Sequence, residues 1–161
     1  MNFIPTPNVG ELGEWLVAGW LQGQDWSILH HRWRCRWGEI DLIVQQNPET
    51  FSPLLAFVEV KTRSRGNWDA DGLLAITPQK QAKLWQTAQL FLSEQPNLAD
   101  FTCRFDVALV RCQRSRRHNL ELLDLSSEIG ILEGSSVQLG KPVWVAGYQL
   151  ILQDYIPSAF E

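Results

Sequence analysis

Leu54-Leu55-Ala56-Phe57-Val58-Glu59-Val60-Lys61 is an apolar run into which an acid and a base are set, and Gly38-Glu39-Ile40-Asp41-Leu42-Ile43 repeats the device just upstream with two acids. Side chains on a strand alternate between faces, so each run offers one apolar face and one that carries ionisable groups. By that alternation Glu39 and Asp41 share a face opposite Ile40, Leu42 and Val44, and Phe57, Glu59, Lys61 and Arg63 share a face opposite Val58 and Val60. A buried charge is costly unless it is paired or holds a metal, so ionisable groups on two neighbouring apolar strands predict a site. Gln45 to Pro53, with Asn47-Pro48 and Ser52-Pro53, reads as the turn region joining these strands. Matching polar faces would bring Asp41 and Glu59 together.

Mg²⁺ takes octahedral oxygen coordination, usually from one or two carboxylates, and keeps waters for a substrate phosphate. Asp41 and Glu59 suit that demand, and Lys61, on the face of Glu59, could orient or deprotonate an attacking water and offset charge building on a phosphate. A structural ion pair between Lys61 and a carboxylate would use the same residues.

Two helices flank these strands in the sequence. Asn8 can cap a helix running to about Gly23, with Val9, Leu12, Leu16 and Trp20 as its buried stripe. Glu14 falls at the edge of that stripe, within reach of a site at the core border, whereas Glu11 faces water. Thr77-Pro78-Gln79-Lys80 is a second helix start, with Leu84, Ala88, Phe91 and Leu92 as the apolar stripe. Lys80 leans toward the sheet edge, either to meet a phosphate or to snorkel into water.

Gly13-Glu14, Gly38-Glu39-Ile40-Asp41-Leu42-Ile43, Phe57-Val58-Glu59-Val60-Lys61-Thr62-Arg63, Lys80, Arg104-Phe105-Asp106-Val107 and the terminal Ala159-Phe160 together resemble the YraN-like family of uncharacterised bacterial proteins. That family is similar to the PD-(D/E)XK nucleases and, among them, to archaeal Holliday-junction resolvases. The resemblance covers about residues 8 to 112 and the last dozen. It implies an α/β, restriction-endonuclease-like three-layer fold: a mixed central β-sheet of about four or five strands between helices, in the order αβββαβ, followed here by C-terminal strands. It implies roles as well: Asp41, Glu59 and Glu14 as metal-binding acids, Lys61 as the catalytic lysine, and Arg104 and Asp106 at the site border beside Glu39. Arg104 and Asp106 share a strand face, which fits an internal salt bridge equally well.

The 161 residues, 45% hydrophobic, are enough for one domain that hides about 70% of its unfolded surface. The core is expected over residues 8–112, with an acidic extension over 119–161 and an insertion at 126–147, where Val143-Trp144-Val145 could add an edge strand. No stretch reaches the roughly 20 apolar residues of a membrane span, and Met1-Asn2-Phe3-Ile4-Pro5 lacks a basic then apolar pattern, so a soluble cytoplasmic protein with no membrane partner is expected. Cys35, Cys103 and Cys112 lack a Cys-x-x-Cys spacing and read as reduced thiols.

A net charge of −4 argues against a polyanion partner. Its distribution argues less strongly: residues 1–118 carry 13 Lys/Arg against 12 Asp/Glu, and residues 119–161 carry one against six. Arg32, Arg34 and Arg36 alternate onto one face of the strand preceding Asp41, forming either a phosphate-facing stripe or a solvated face. Arg63, Arg65 and Lys80 extend the candidate nucleic-acid contacts. Arg111 to Asn119 reads as a loop between strands at Cys103–Val110 and Leu120–Leu125. Trp33 and Trp37 interleave with the arginines and could stack on bases, or simply pack.

The sequence therefore predicts an Mg²⁺- or Mn²⁺-dependent hydrolase of DNA phosphodiesters, at branched or structured sites. The alternative is a non-catalytic nucleic-acid-binding or adaptor protein on the same fold. A homodimer is compatible with either.

Overall fold

Asn8 and Thr77 open the helices that they were expected to cap. The Asn8 side chain accepts from Gly10 N at 2.9 Å and starts α1, Val9–Gly23; Thr77 Oγ1 accepts from Lys80 N at 3.2 Å and starts α2, Pro78–Ser93. Each such cap contributes about 1 kcal/mol, and Pro78 sits in the first turn, where its missing N–H costs nothing. These elements belong to a computed structural model that describes residues 8–46, 53–64, 76–115 and 137–161.

The strands are β1 (Trp26–Cys35), β2 (Gly38–Gln46), β3 (Leu54–Arg63), β4 (Thr102–Arg114), β5 (Pro142–Val145) and β6 (Tyr148–Phe160). They form one six-stranded sheet in the order β1-β2-β3-β4-β6-β5. Strands β3 and β4 are parallel, because α2 lies between them in the chain and a parallel pair needs a long crossover; the other neighbours are antiparallel. Element order α1-β1-β2-β3-α2-β4 matches the expected αβββαβ, and the mixed sheet flanked by helices makes the protein α/β.

Alternate strand residues feed two cores. On one face Leu12, Leu16, Val17 and Leu21 of α1 pack against Leu42, Val44, Ala56, Val58 and Val110. On the other, Leu84, Ala88 and Phe91 of α2 pack against Ile43, Leu55, Phe57, Phe105 and Val107. Full burial of such a Leu, Ile or Phe side chain stabilises by about 1.5–3 kcal/mol, so the two faces anchor the helices independently.

The structure differs from the sequence reading in four places. First, Ile40 lies in the α2-side core with Ile43, whereas Leu42 and Val44 lie in the α1-side core, so the alternation breaks at Asp41 and Ile40 does not share a face with Leu42. Second, β4 does not end at Val110: Arg111, Cys112, Gln113 and Arg114 continue it, paired with Ile151, Leu150, Gln149 and Tyr148, and Cys112 is buried. Third, the sheet has six strands rather than four or five, because β6 runs the length of β4. Its polar stretch at Gln153-Asp154 and its Pro157-Ser158 disguise it in sequence. Fourth, of the expected insertion at 126–147, residues 137–147 belong to the fold: Val137 joins the α1-side core, whereas Val143–Val145 lie in β5 as the expected edge strand. Residues 126–136 and the strand expected at Leu120–Leu125 lie outside the described residues. The three cysteines are free thiols, as expected.

Candidate metal centre

Strands β2 and β3 pair only from Leu42↔Val58 to Gln45↔Leu55, although β2 stays paired with β1 as far as Cys35↔Gly38 and β3 with β4 as far as Arg63↔Arg111. Beyond Leu42 the sheet forks. Asp41 stands in the fork, where its Oδ2 accepts the Val60 N–H at 2.8 Å, a hydrogen bond that a strand neighbour would otherwise take. The broken alternation at Ile40 belongs to the same event.

Glu14 enters the fork from α1. Gly13 approaches β3 so closely that a Cβ there would lie 2.1 Å from Thr62 Oγ1, so the absence of a side chain at 13 seats the helix and delivers Glu14 to the core border. Glu14 is 6% exposed. Ligand oxygens of Glu14, Glu39 and Asp41 lie within 4.8 Å of one another. Three hard carboxylate oxygens at that spacing fit Mg²⁺ or Mn²⁺ chemically.

Glu59 follows the regular alternation of β3, on the side of Phe57 and α2. It accepts from Lys80 Nζ at 2.7 Å, and Lys61 Nζ lies 3.1 Å away. The expected acids therefore gather in two groups: Asp41 with Glu14 and Glu39, and Glu59 with the two lysines. Asp41 couples them electrostatically.

Burial first, and then the charge of Glu59, push the Asp41 carboxyl up to about 8, against the stabilising Val60 hydrogen bond; Glu14 and Glu39 add to the effect. Burial also opposes ionisation of Glu14, but hydrogen bonds from His31 and Arg32 outweigh it and hold that carboxyl below its ordinary range. Burial, followed by the neighbouring Lys80, pushes the Lys61 ammonium down. Lys80 moves up, because its hydrogen bonds to Glu59 and Lys61 exceed the cost of burial. The two lysines are thus shifted in opposite directions, Lys61 down and Lys80 up.

The arginine stripe is not uniform. Arg32 has a left-handed φ of 56° and donates from Nε to Glu14 Oε2 at 2.7 Å, Arg34 Nε donates to Glu39, and Arg36, just past the end of β1, lies over the Trp37 ring at 5.0 Å. Two of the three expected phosphate contacts thus pair with carboxylates of the fork. Arg63 lies exposed at the end of β3 beside Arg111, and Arg65 is outside the described residues. Trp33 packs edge-on against Phe91.

Arg104 and Asp106 lie on β4 in register with Ala56 and Val58, residues of the α1-side core. Asp106, fully buried, accepts from Arg104 Nε, from Tyr155 Oη at 2.6 Å and from Ser158 N at 2.9 Å. The internal salt bridge forms within β4, and the hydrogen bonds from Tyr155 and Ser158 to Asp106 tie β6 to β4.

His31, Tyr155 and Ser158 were not anticipated. His31 Nε2 lies 2.8 Å from Glu14 Oε2, a contact that depends on the register shift between Ile28 and His30. Neither that bulge nor the pairing of β6 has a local sequence signal. Among the described residues no helix is long and apolar enough to cross a membrane.

Residues 13–110 match the profile of "Uncharacterised protein family UPF0102". A UPF0102 protein of Trichodesmium erythraeum is 54% identical over 95% of this chain and 88% of its own length. Another, of Acaryochloris marina, is 50% identical over 97% and 95%, and one of Trichormus variabilis is 46% identical over 96% and 95%. Residues 13–110 contain α1 from Gly13 onward, the fork, both lysines and Arg104-Phe105-Asp106-Val107, and leave out the terminal Ala159-Phe160.

Proposed function

The chain belongs to the uncharacterised protein family UPF0102, and within it we propose a divalent-metal-dependent phosphodiesterase acting on DNA, on a sheet of the PD-(D/E)XK, restriction-endonuclease-like kind. The observation that carries this reading is Asp41 in the fork. A carboxyl raised to about 8 by burial and by other acids stands between Glu14 and Glu39 on one side and Glu59 with a depressed lysine on the other. Proteins rarely keep crowded, partly buried acids for stability; such pairs of oppositely perturbed groups are characteristic of reaction centres.

Asp41, Glu14 and Glu39 are the residues that would hold Mg²⁺ or Mn²⁺, with Glu59 at the border of the set. The bound cation would supply Lewis acidity toward a phosphate oxygen and acidify a water. Lys61, whose ammonium is pushed down by burial and Lys80, would take the proton of the attacking water as the water oxygen bonds to phosphorus and the ester P–O bond to one sugar oxygen breaks, that oxygen leaving as the alcohol with a proton from solvent. Lys80 stays charged, holds Glu59 by its 2.7 Å hydrogen bond, and offsets negative charge on the phosphoryl oxygens. Arg63 and the β1 arginines lie where a backbone could be held without reading its sequence.

The test is incubation of linear, flapped and four-way-junction DNAs with the protein and Mg²⁺ or Mn²⁺. Cation-dependent cleavage of at least one substrate is expected. Protein that binds Mn²⁺ and DNA yet cuts none of them belongs to the non-catalytic, nucleic-acid-binding alternative.

A further inference from the structure

Resting on that reading and deepening it, we infer that Arg32 and Arg34 are exchangeable counter-ions of the metal-binding carboxylates: they pair with Glu14 and Glu39 when no cation is held and transfer to the DNA phosphates when one is, so that cation and DNA bind cooperatively.

The argument starts from which groups the arginines occupy. Arg32 Nε donates to Glu14 Oε2 at 2.7 Å and Arg34 Nε donates to Glu39, the two carboxylates whose oxygens converge with that of Asp41. A divalent cation among these oxygens would sit beside two guanidinium groups and repel them, more strongly at the partly buried Arg32–Glu14 pair than at the exposed Arg34. Holding a cation and holding both arginines are therefore competing ways of neutralising the same acids.

Three features make release feasible. Arg32, which pairs with Glu14, adopts a left-handed φ of 56°, a conformation uncommon for a non-glycine residue. Glu14 keeps a partner when Arg32 leaves, because His31 Nε2 lies 2.8 Å from the same oxygen. Arg34, with its side chain 67% exposed, stands on β1, the first strand of the sheet order and hence an edge, and can swing outward without disturbing a core. A guanidinium freed in this way presents the planar fork of donors that binds phosphate oxygens in pairs. Arg32 and Arg34 are thus positioning residues that couple two ligands.

Mn²⁺ titration calorimetry tests this, with and without a phosphorothioate duplex that resists cleavage. Wild type should bind Mn²⁺ at least about fivefold more tightly when the duplex is present, the lower end of ordinary coupling between sites. Arg34→Gln, at an exposed pair where folding is not at risk, should bind Mn²⁺ more tightly than wild type without DNA and gain less from the duplex. Arg32→Gln, checked for folding by its thermal transition, should shift in the same direction. Mn²⁺ affinity that ignores both the duplex and Arg34→Gln would overturn the exchange and leave the metal centre standing. No Mn²⁺ binding by wild type would overturn both.

Discussion

Asp41 and Asp106 solve the same local problem with opposite results. Each is an aspartate beside an irregular pairing of two strands, and each accepts a backbone N–H from the neighbouring strand, Val60 for Asp41 and Ser158 for Asp106. Asp106 is then completed by Arg104 and Tyr155 and lies wholly buried. Burial, and then Asp106 itself, push the Tyr155 phenol far above its ordinary range. Asp41 instead faces Glu59, Glu14 and Glu39, and its carboxyl is driven up. A satisfied acid is a staple. An acid surrounded by acids is the arrangement on which the proposed metal centre rests.

Breaking the staple should have the largest effect. Asp106→Ala leaves Arg104, the Tyr155 hydroxyl and the Ser158 N–H without their acceptor in the interior, and stability should fall by about 3–5 kcal/mol, the scale for removing one partner of a buried pair. Urea titration of wild type and variant measures this. A loss below about 1 kcal/mol would mean that β6 is held by its ladder alone.

At the fork the larger effect should fall on rate. In Lys61→Met, Glu59 keeps Lys80 as its partner, so the protein should remain folded and retain Mn²⁺ while cleavage drops by about 10²-fold or more. Circular dichroism, Mn²⁺ titration and a single-turnover cleavage assay separate these outcomes. Unfolding of Lys61→Met would make the lysine a structural partner.

The smallest effect sharpens the comparison most. The Asp41 carboxyl is raised from 3.8 to about 8 in the folded state, so between those values the native protein holds a proton that the unfolded chain has lost, and this group's contribution to stability falls as pH rises from about 4 through about 8. Asp41→Asn should therefore gain in thermal stability relative to wild type as pH rises from about 4 to about 8 and keep that margin at pH 9. Since a cation must displace that proton, Mn²⁺ affinity of wild type should rise about tenfold per pH unit from 6 to 8 and flatten above. A pH-independent difference in melting temperature would show that Asp41 ionises normally.

What the sequence discloses follows from how local each cause is. Helix starts at Asn8 and Thr77 depend on residues within one turn, and Glu59 and Lys61 keep the period-two pattern that strands impose. Glu14 is legible as the edge of an amphipathic stripe. The fork is not legible: alternation assigns Asp41 to the face opposite Leu42 and Ile40, and only the parting of β2 from β3 moves Ile40 to the α2 side and Asp41 toward Glu14. Likewise Arg104 and Asp106 look like site residues by spacing, and the register of β6, set by contacts distant in sequence, makes them a staple. Arg32 and Arg34 would share a face in a regular strand, but Arg32, with its positive φ, pairs with the buried Glu14, while Arg34 stays exposed and pairs with Glu39.

The most direct measurement is calorimetric Mn²⁺ titration of wild type, Asp41→Asn and Asp106→Asn. The metal-centre account predicts binding by wild type, retained binding by whatever fraction of Asp106→Asn is folded, and loss of binding by a fully folded Asp41→Asn. Equal Mn²⁺ affinity in wild type and Asp41→Asn would contradict it.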